Sequence, residues 1–584
     1  MDGAIHGSHG GRPQLVERSS GLARLDAGDL RARAEALECD PLLVRLLLAR
    51  GVDDEERQRR FLRPRLAELR VPAGMAGFTG SIELLVHAIQ RGWRIGIFGD
   101  YDVDGVTTTA ILTTFLEAVG ATVVARVACR DRGYGFRVAD ARVLCESGVQ
   151  LVLTGDCGTS DHEALAWLRE RGVKTAVIDH HQVPEVAPPT DAFLNPHQQG
   201  CEFPFKGLCS AGVAFYLCAA LRTALARAGG GSLPDPRAWL DLVALGTVCD
   251  MVPLIDENRI LVHHGLSVVG QRRRPGLRAL LDSSGVGRDE RIDEAHLGFR
   301  LGPRLNAPGR LGPAEPSLLL LRARTSAEAR AMADRVESCN VRRRAFQERI
   351  VAEAHALLAA DPKVSRRHGI VVAHDTWLHG IVGIAASGLV EHYRRPALVL
   401  AVDNDAGEAR GSARTHGDID VRAALHACRA LLRRYGGHRA AAGVSLDAAR
   451  VPELVEAFDA AVGEQVAGRE VMTGEPHDGE LPLADVDEAL IERLDQLAPF
   501  GVGFTAPRFV CEEAQVVRER LLKGKHLSMV VRQGGVEREA IAFSHAGPPI
   551  QRGDKIGLLY VPTRNHFRGR VRVQLQVESV WRTP

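Results

Sequence analysis

Residues 94–120 read RIGIFGDYDVDGVTTTAILTTFLEAVG: an apolar run, three aspartates at alternate positions (Asp100, Asp102, Asp104), then a helical pattern. Negative charges that close together repel one another, so the arrangement calls for a cation. The same motif opens a rhythm. Strand-like runs recur at RIGIFG, ATVVARV, QLVLTG and KTAVID, separated by helical stretches such as DHEALAWLRERG. Short β-branched runs alternating with amphipathic helices predict βαβ units and a parallel sheet. Ligand sites in such sheets lie just past the carboxyl ends of the strands.

Polar residues gather at those ends. Asp156 follows QLVLTG, the set Asp179, His180 and His181 follows KTAVI, and Asp250 ends the apolar stretch VALGTVCD. Carboxylates with one or two imidazoles form a mixed oxygen and nitrogen donor set. It suits Mn2+ or Mg2+ better than a thiolate zinc site. Two such ions about 3.5–4 Å apart can activate water and clamp a phosphoryl group. Singly, each piece has a plainer reading: an Asx turn, a helix cap, or a surface His pair. Their coincidence at the ends of apolar segments of one inferred sheet favours the metal.

The bulk composition sets the frame. At 584 residues, three or four domains are expected at roughly 150 residues each. A net charge of +1 neither marks a nucleic-acid binder nor excludes one, because a basic channel can sit beside an acidic metal site. The 11 cysteines include no C-x-x-C pair, which reads as free thiols in a reducing compartment, the cytoplasm. The start MDGAIHGSHGGRPQ lacks a signal-peptide pattern, and no apolar run reaches the roughly 18–20 residues of a membrane span.

Beyond the first sheet, SAEARAMADRVESCNVRRRAFQERIVAEAHALLAAD predicts a long helix joining two lobes. HGIVVAHD and PALVLAVD then read as strands around a helical stretch. From about residue 481 short strands and turns predict a small β-barrel. The expected division is an N-terminal helical segment (1–75), a catalytic α/β domain (76–330), a connecting helix (331–360), a second α/β domain (361–470) and the barrel domain (471–584).

DYDVDG, GDCG, DHH and CDMVPL, in this order and spacing, resemble the four acidic motifs of the DHH phosphoesterase superfamily. The likeness is greatest to its single-strand-specific 5′→3′ DNA exonucleases. It extends through LGFRLGPRLNAPGRLG, GSAR and GGHRAAAG, over roughly residue 76 to the C-terminus. The resemblance implies a DHH parallel-sheet domain, a DHHA1 domain and a C-terminal OB-fold. It also implies a two-ion site: Asp102 on one ion, Asp156 bridging both, and Asp104, His180 and Asp250 on the second. Asp100 would be a ligand or a supporting group, His181 would face the scissile phosphate, and Asp179 would orient the imidazoles. Phosphate and DNA contacts would come from Arg130, Arg304, Asn306, Arg310, Ser412, Arg414, Gly437 and His438. In the barrel, Phe504, Lys525, His566 and Phe567 are available for stacking or charge, and each reads equally as core or solvated surface.

Three departures from the family pattern stand out. VACRDRGYG lacks the usual proline before its arginine, so Arg130 or Arg132 takes that place; Gly388 follows AAS in place of arginine; and Phe504 replaces an expected asparagine. The implied activity is degradation of single-stranded DNA to 5′-mononucleotides in recombination and repair, with single-strand-binding protein and a RecQ-type helicase as partners. The alternatives are a phosphodiesterase of the same superfamily acting on short oligonucleotides or cyclic dinucleotides, and a non-catalytic replication scaffold.

Overall fold

In the computed structural model the described residues are 12–18, 27–130, 133, 135–229, 231–467, 474–522, 524, 526–543, 545, 549–567 and 570–583. They form two compact units that are not contiguous in sequence. One comprises Met1–Gln58, Arg344–Gln496 and Ala506–Pro584, and the other Arg59–Arg343 with Leu497–Thr505.

The second of these units is built on a parallel sheet of β1 (Arg94–Gly99), β2 (Thr122–Val127), β3 (Leu151–Gly155), β4 (Lys174–Ile178) and β5 (Ala192–Leu194). The spatial order is β2-β1-β3-β4-β5, with every neighbouring pair parallel. Strands buried on both faces must be apolar throughout. Accordingly Ile95, Ile97, Leu151, Val152, Leu153, Val177 and Ile178 are sealed from solvent. The principal helices are α1 (Val103–Ala118), α2 (Ser210–Arg227), α3 (Leu240–Cys249) and α4 (Gly302–Leu311). The threonine-rich α1 is not a solvent-facing helix: Thr107, Thr108, Thr109 and Thr113 are fully buried. Thr107 and Thr109 donate their hydroxyls to the carbonyls of Val103 and Gly105 at 2.8 and 2.7 Å, which satisfies them inside the core.

Segment 497–505 belongs to this unit because its backbone and rings are held there. Leu254 N–H donates to the Val502 carbonyl at 2.8 Å. The buried Arg259 donates to the carbonyls of Phe61, Ala498 and Pro499 at 2.9, 2.9 and 3.1 Å. Phe504 is 2% exposed, with its ring centroid 4.3 Å from that of Phe61. Of the two readings open for Phe504, stacking surface or core, the structure gives the core.

In the other unit, α5 (Ser326–Ala360) runs 35 residues and contributes to both units, and α6 (His379–Tyr393) covers a mixed sheet. That sheet contains β6 (Ile370–His374), β7 (Ala397–Asp403), β8 (Glu408–Arg414), β9 (Leu432–Gly437) and β10 (Ala441–Asp447) in the order β9-β10-β8-β7-β6. The closed five-stranded barrel follows: β11 (Phe509–Leu522), β12 (His526–Gln533), β13 (Val536–Ala542), β14 (Lys555–Phe567) and β15 (Arg570–Arg582). The N-terminal residues join this unit through Leu15–Glu17, which pairs in parallel with Glu475–His477. The buried Asp478 fixes them further, with ion pairs to Arg18 at 2.9 Å and Arg50 at 2.7 Å. Among the described residues, no helix is long and apolar enough to cross a membrane.

Candidate metal centre

The hydrogen-bond ladder of the parallel sheet continues one residue past each strand and aligns the acidic residues. Asp100 N–H donates to the Gly155 carbonyl at 3.2 Å, Asp156 N–H to Ile178 at 3.0 Å, and Asp179 N–H to Leu194 at 3.1 Å. Asp156 leaves the strand with φ of 61°, a left-handed conformation that turns the chain sharply. Asp102 caps α1, accepting the Gly105 N–H at 3.1 Å, which places Asp104 in the first helical turn. Gly105 is required there, since a Cβ would stand 2.6 Å from the backbone nitrogen and oxygen of Asp100. Asp250 arrives separately, at the end of α3.

These segments converge. His180 Nε2 lies 3.3 Å from Asp156 Oδ1, 3.6 Å from Asp250 Oδ2 and 3.9 Å from Asp104 Oδ2. Three sets of donor atoms each fit within 4.8 Å: Asp100, Asp102 and Asp156; Asp156, His180 and His181; Asp104, His180 and Asp250. His181 Nδ1 and Asp179 Oδ1 are 2.7 Å apart, and Asp179 also accepts the backbone N–H of His180 at 2.7 Å. Asp179 therefore acts as the brace of the His pair.

The electrostatics are those of a site built for cations. Burial, then repulsion from Asp104, Asp102 and Asp250, holds the Asp156 carboxyl well above its usual range. Burial and then Asp104 push Asp250 up to about 9, and burial with Asp102 raises Asp100. Burial lowers the pKa of His180. His181 moves the other way: burial opposes its charge, but Asp179 outweighs it and raises the imidazole to about 9. Among the described residues, the buried atoms Asp100 Oδ1, His180 Nε2 and Asp250 Oδ2 make no hydrogen bond. Buried polar atoms are rarely left so. An oxygen-rich donor set with one imidazole and unsatisfied lone pairs fits Mn2+ or Mg2+.

Sequence reasoning missed two supports. Ser210, first residue of α2, donates its N–H to Asp104 Oδ2 at 2.7 Å and its hydroxyl to Asp156 Oδ1 at 3.1 Å. Its neighbour Ala211 donates its N–H to Asp104 Oδ1 at 2.9 Å. Asn195, fully buried past β5, donates to the His181 carbonyl at 2.9 Å and to Thr159 Oγ1 at 3.2 Å. The available signal was a polar residue ahead of an apolar helix in CSAGVAF, and an asparagine just past a strand.

The other candidate residues fall into three groups. Arg130 and Arg310 stand near the first aspartate loop: Arg130 lies over the Tyr101 ring at 4.0 Å and donates to the Gly309 carbonyl at 3.3 Å. Arg310 is partly exposed beside Gly309, as is Asn306 on the same helix. Arg304, by contrast, is 8% exposed, with Nε 2.5 Å from Glu337 Oε2 and Nη1 donating to the Arg300 carbonyl at 2.8 Å. In the other unit, the register aligns Ser412 with Gly443 and Gly443 with Gly436, so GSAR and GGH share one sheet surface. Arg414 donates to the Ser412 hydroxyl and to the Ala413 carbonyl. Gly437 has φ of 129°, and a Cβ there would meet the Ala441 carbonyl oxygen at 2.5 Å. His438 is exposed in the following turn. Gly388 lies in α6, where a Cβ would make only ordinary contact with Val351 at 3.6 Å. Arg132 and Lys525, and the side chains of His566 and Phe567, lie outside the described residues.

Comparison with known proteins agrees with this architecture. Family models match for the DHH family N-terminal domain at residues 94–247, the DHHA1 domain at 367–464 and the RecJ OB domain at 477–579. The chain is 35% identical over 571 residues to the single-stranded-DNA-specific exonuclease RecJ of Dickeya dadantii (strain 3937), covering 94% of this chain and 98% of that one. RecJ of Thermus thermophilus in complex with Mn2+ superposes with a TM-score of 0.79 at 30% identity, over 98% of this chain and 79% of that one. The same protein with Mg2+ gives a TM-score of 0.74 at 29% identity, over 98% and 78%. By sequence, domain content and fold, the chain belongs to the RecJ family of single-stranded-DNA-specific exonucleases.

Proposed function

We propose that this chain is a divalent-metal-dependent exonuclease that degrades single-stranded DNA from its 5′ end to 5′-mononucleotides. The observation that carries the reading is the convergence of Asp100, Asp102, Asp104, Asp156, His180 and Asp250 around buried, unsatisfied donor atoms. Asp102 would hold one Mn2+ or Mg2+ ion, and Asp104, His180 and Asp250 a second. Asp156, which groups with Asp100 and Asp102 and lies 3.3 Å from His180 Nε2, would serve both, with Asp100 beside the first. When bound, the ions supply Lewis-acid polarisation and charge neutralisation for phosphoryl transfer.

The chain's own groups do the rest. His181 Nδ1 is engaged by Asp179, so the proton it can present to a phosphate oxygen sits on Nε2. Arg130, Arg310 and Asn306 grip the strand beside the first aspartate loop, and Arg304 braces α4 from within. Ser412, Arg414, Gly437 and His438 bind the 5′-terminal phosphate, since a hydroxyl, a planar guanidinium and close-approach backbone suit a dianion. The barrel holds the single strand farther along. The setting is cytoplasmic DNA recombination and repair, with single-strand-binding protein and a RecQ-type helicase as partners.

Digestion of end-labelled DNA tests this. A 5′-phosphorylated single strand should be shortened to mononucleotides with Mn2+, a duplex spared, and EDTA should stop the reaction. Equal cleavage of a dinucleotide and a long strand, or release from the 3′ end, would overturn it.

A further inference from the structure

Six carboxylates and two imidazoles crowd the sheet ends, and the first turn of α2 meets two of them. Both oxygens of Asp104 accept backbone N–H groups from that turn, from Ser210 at 2.7 Å and Ala211 at 2.9 Å. The Ser210 hydroxyl reaches Asp156 Oδ1 at 3.1 Å. One residue thus touches a carboxylate of the Asp104 set and the carboxylate common to two sets. Ser210, Asp104 and Asp156 are all at most 2% exposed, so these bonds are not shared with bulk water. The helix start is also the positive end of the α2 dipole, which favours a carboxylate at Asp104. The sequence permits this close approach. A Cβ at Gly246 of α3 would come within 2.9 Å of Asp104 Oδ1 and 2.8 Å of Ala211 Cβ, so the SAG segment packs against a matching glycine.

We propose that Ser210 is a positioning residue for the two-ion site: its hydroxyl aims Asp156, and its N–H holds Asp104, so that each presents its remaining lone pairs to the ions. This rests on the metal-dependent reading of the site. A hydroxyl bonded to one oxygen of a shared carboxylate fixes that group's rotation about Cβ–Cγ, which decides whether it can serve two cations at once. Outer partners of metal ligands typically change affinity or activity by about 10–100-fold.

The full-length chain tests it by Mn2+ titration calorimetry, with native protein, Ser210→Ala and Ser210→Thr compared at matched folding by circular dichroism. Ser210→Ala keeps the backbone N–H and removes only the hydroxyl. It should weaken one of two Mn2+ sites by about 10-fold or more, and raise the Mn2+ concentration for half-maximal activity more than it lowers kcat at saturating Mn2+. Ser210→Thr, which restores a hydroxyl, should recover most of the affinity. Two Mn2+ sites of native affinity in folded Ser210→Ala would overturn the role of Ser210 while leaving the metal reading intact. A native chain that binds no Mn2+ would overturn the metal reading and this inference with it.

Discussion

His181 Nδ1 lies 2.7 Å from Asp179 Oδ1, in a loop where Asp179 also accepts the backbone N–H groups of His180 at 2.7 Å and of His181 at 3.2 Å. One carboxylate therefore shapes the backbone of the His pair and orients a ring within it. Asp179 stands apart from the other acidic residues of the site: burial raises its pKa, but its bonds to His181, His180 and Thr159 prevail and hold it below the usual range.

Asp179→Asn should consequently reduce kcat by about 10–100-fold, the usual cost of losing an orienting partner. Its Mn2+ stoichiometry should be unchanged. Single-turnover digestion at saturating Mn2+ checks this, and a native rate would remove Asp179 from the mechanism.

The two arginines Arg130 and Arg304 should behave oppositely. Arg130, partly exposed over Tyr101, is assigned to the strand, so Arg130→Ala should weaken single-strand binding and lower the slope of log Kd against log salt by about 0.7. Arg304 is paired to Glu337 inside the unit, so Arg304→Ala should cost about 3 kcal/mol of stability without moving that slope. Fluorescence anisotropy across a salt series, beside urea unfolding, separates them.

Phe504→Asn should restore the family's usual residue and still be harmful here. The ring is buried against Phe61 and lies 5.9 Å from the Arg259 guanidinium. Its removal should cost about 3–5 kcal/mol, the range for deleting a buried phenylalanine. Urea denaturation should show the loss, with single-strand affinity of the folded fraction retained.

His296 supplies a pH-dependent contribution to stability away from the metal site. It sits 2.5 Å from Asp293 Oδ1 and 3.0 Å from Glu290 Oε1. Burial opposes its charge, but bonding to Asp293 and then Glu290 outweighs this and raises its pKa. The stabilisation is thus fully present below the unfolded pKa of about 6.5. It is lost as pH rises through the higher folded value. The difference in thermal midpoint between native protein and His296→Gln should be largest near pH 6 and shrink towards pH 9.

What was legible in the sequence was what local pattern controls. Asp100, Asp156 and Asp179 were readable as site residues because each directly follows an apolar strand, and a parallel sheet brings such ends together. Ser210 was not, because its bonds to Asp104 and Asp156 span 106 and 54 residues and depend on where α2 docks. Arg304 and Arg310 look alike in GPRLNAPGR. Only the position of Glu337, 33 residues beyond Arg304, turns one of them inward. Among the threonines of α1, Thr107 and Thr109 enter the core with their hydroxyls bonded back to helix carbonyls, a pairing that the helical pattern alone does not announce. The N-terminal segment read as separate because its partner, Asp478, lies 428 residues beyond Arg50.

In the proposed centre, carboxylates from separate strand and helix ends would share two divalent ions through Asp156. Electron paramagnetic resonance during Mn2+ titration tests it most directly. Two Mn2+ per chain with an exchange-coupled signal are expected in the native protein, and uncoupled or absent Mn2+ in folded Asp156→Ala. A native chain that binds a single uncoupled Mn2+, or an Asp156→Ala variant that keeps the coupled pair, would contradict it.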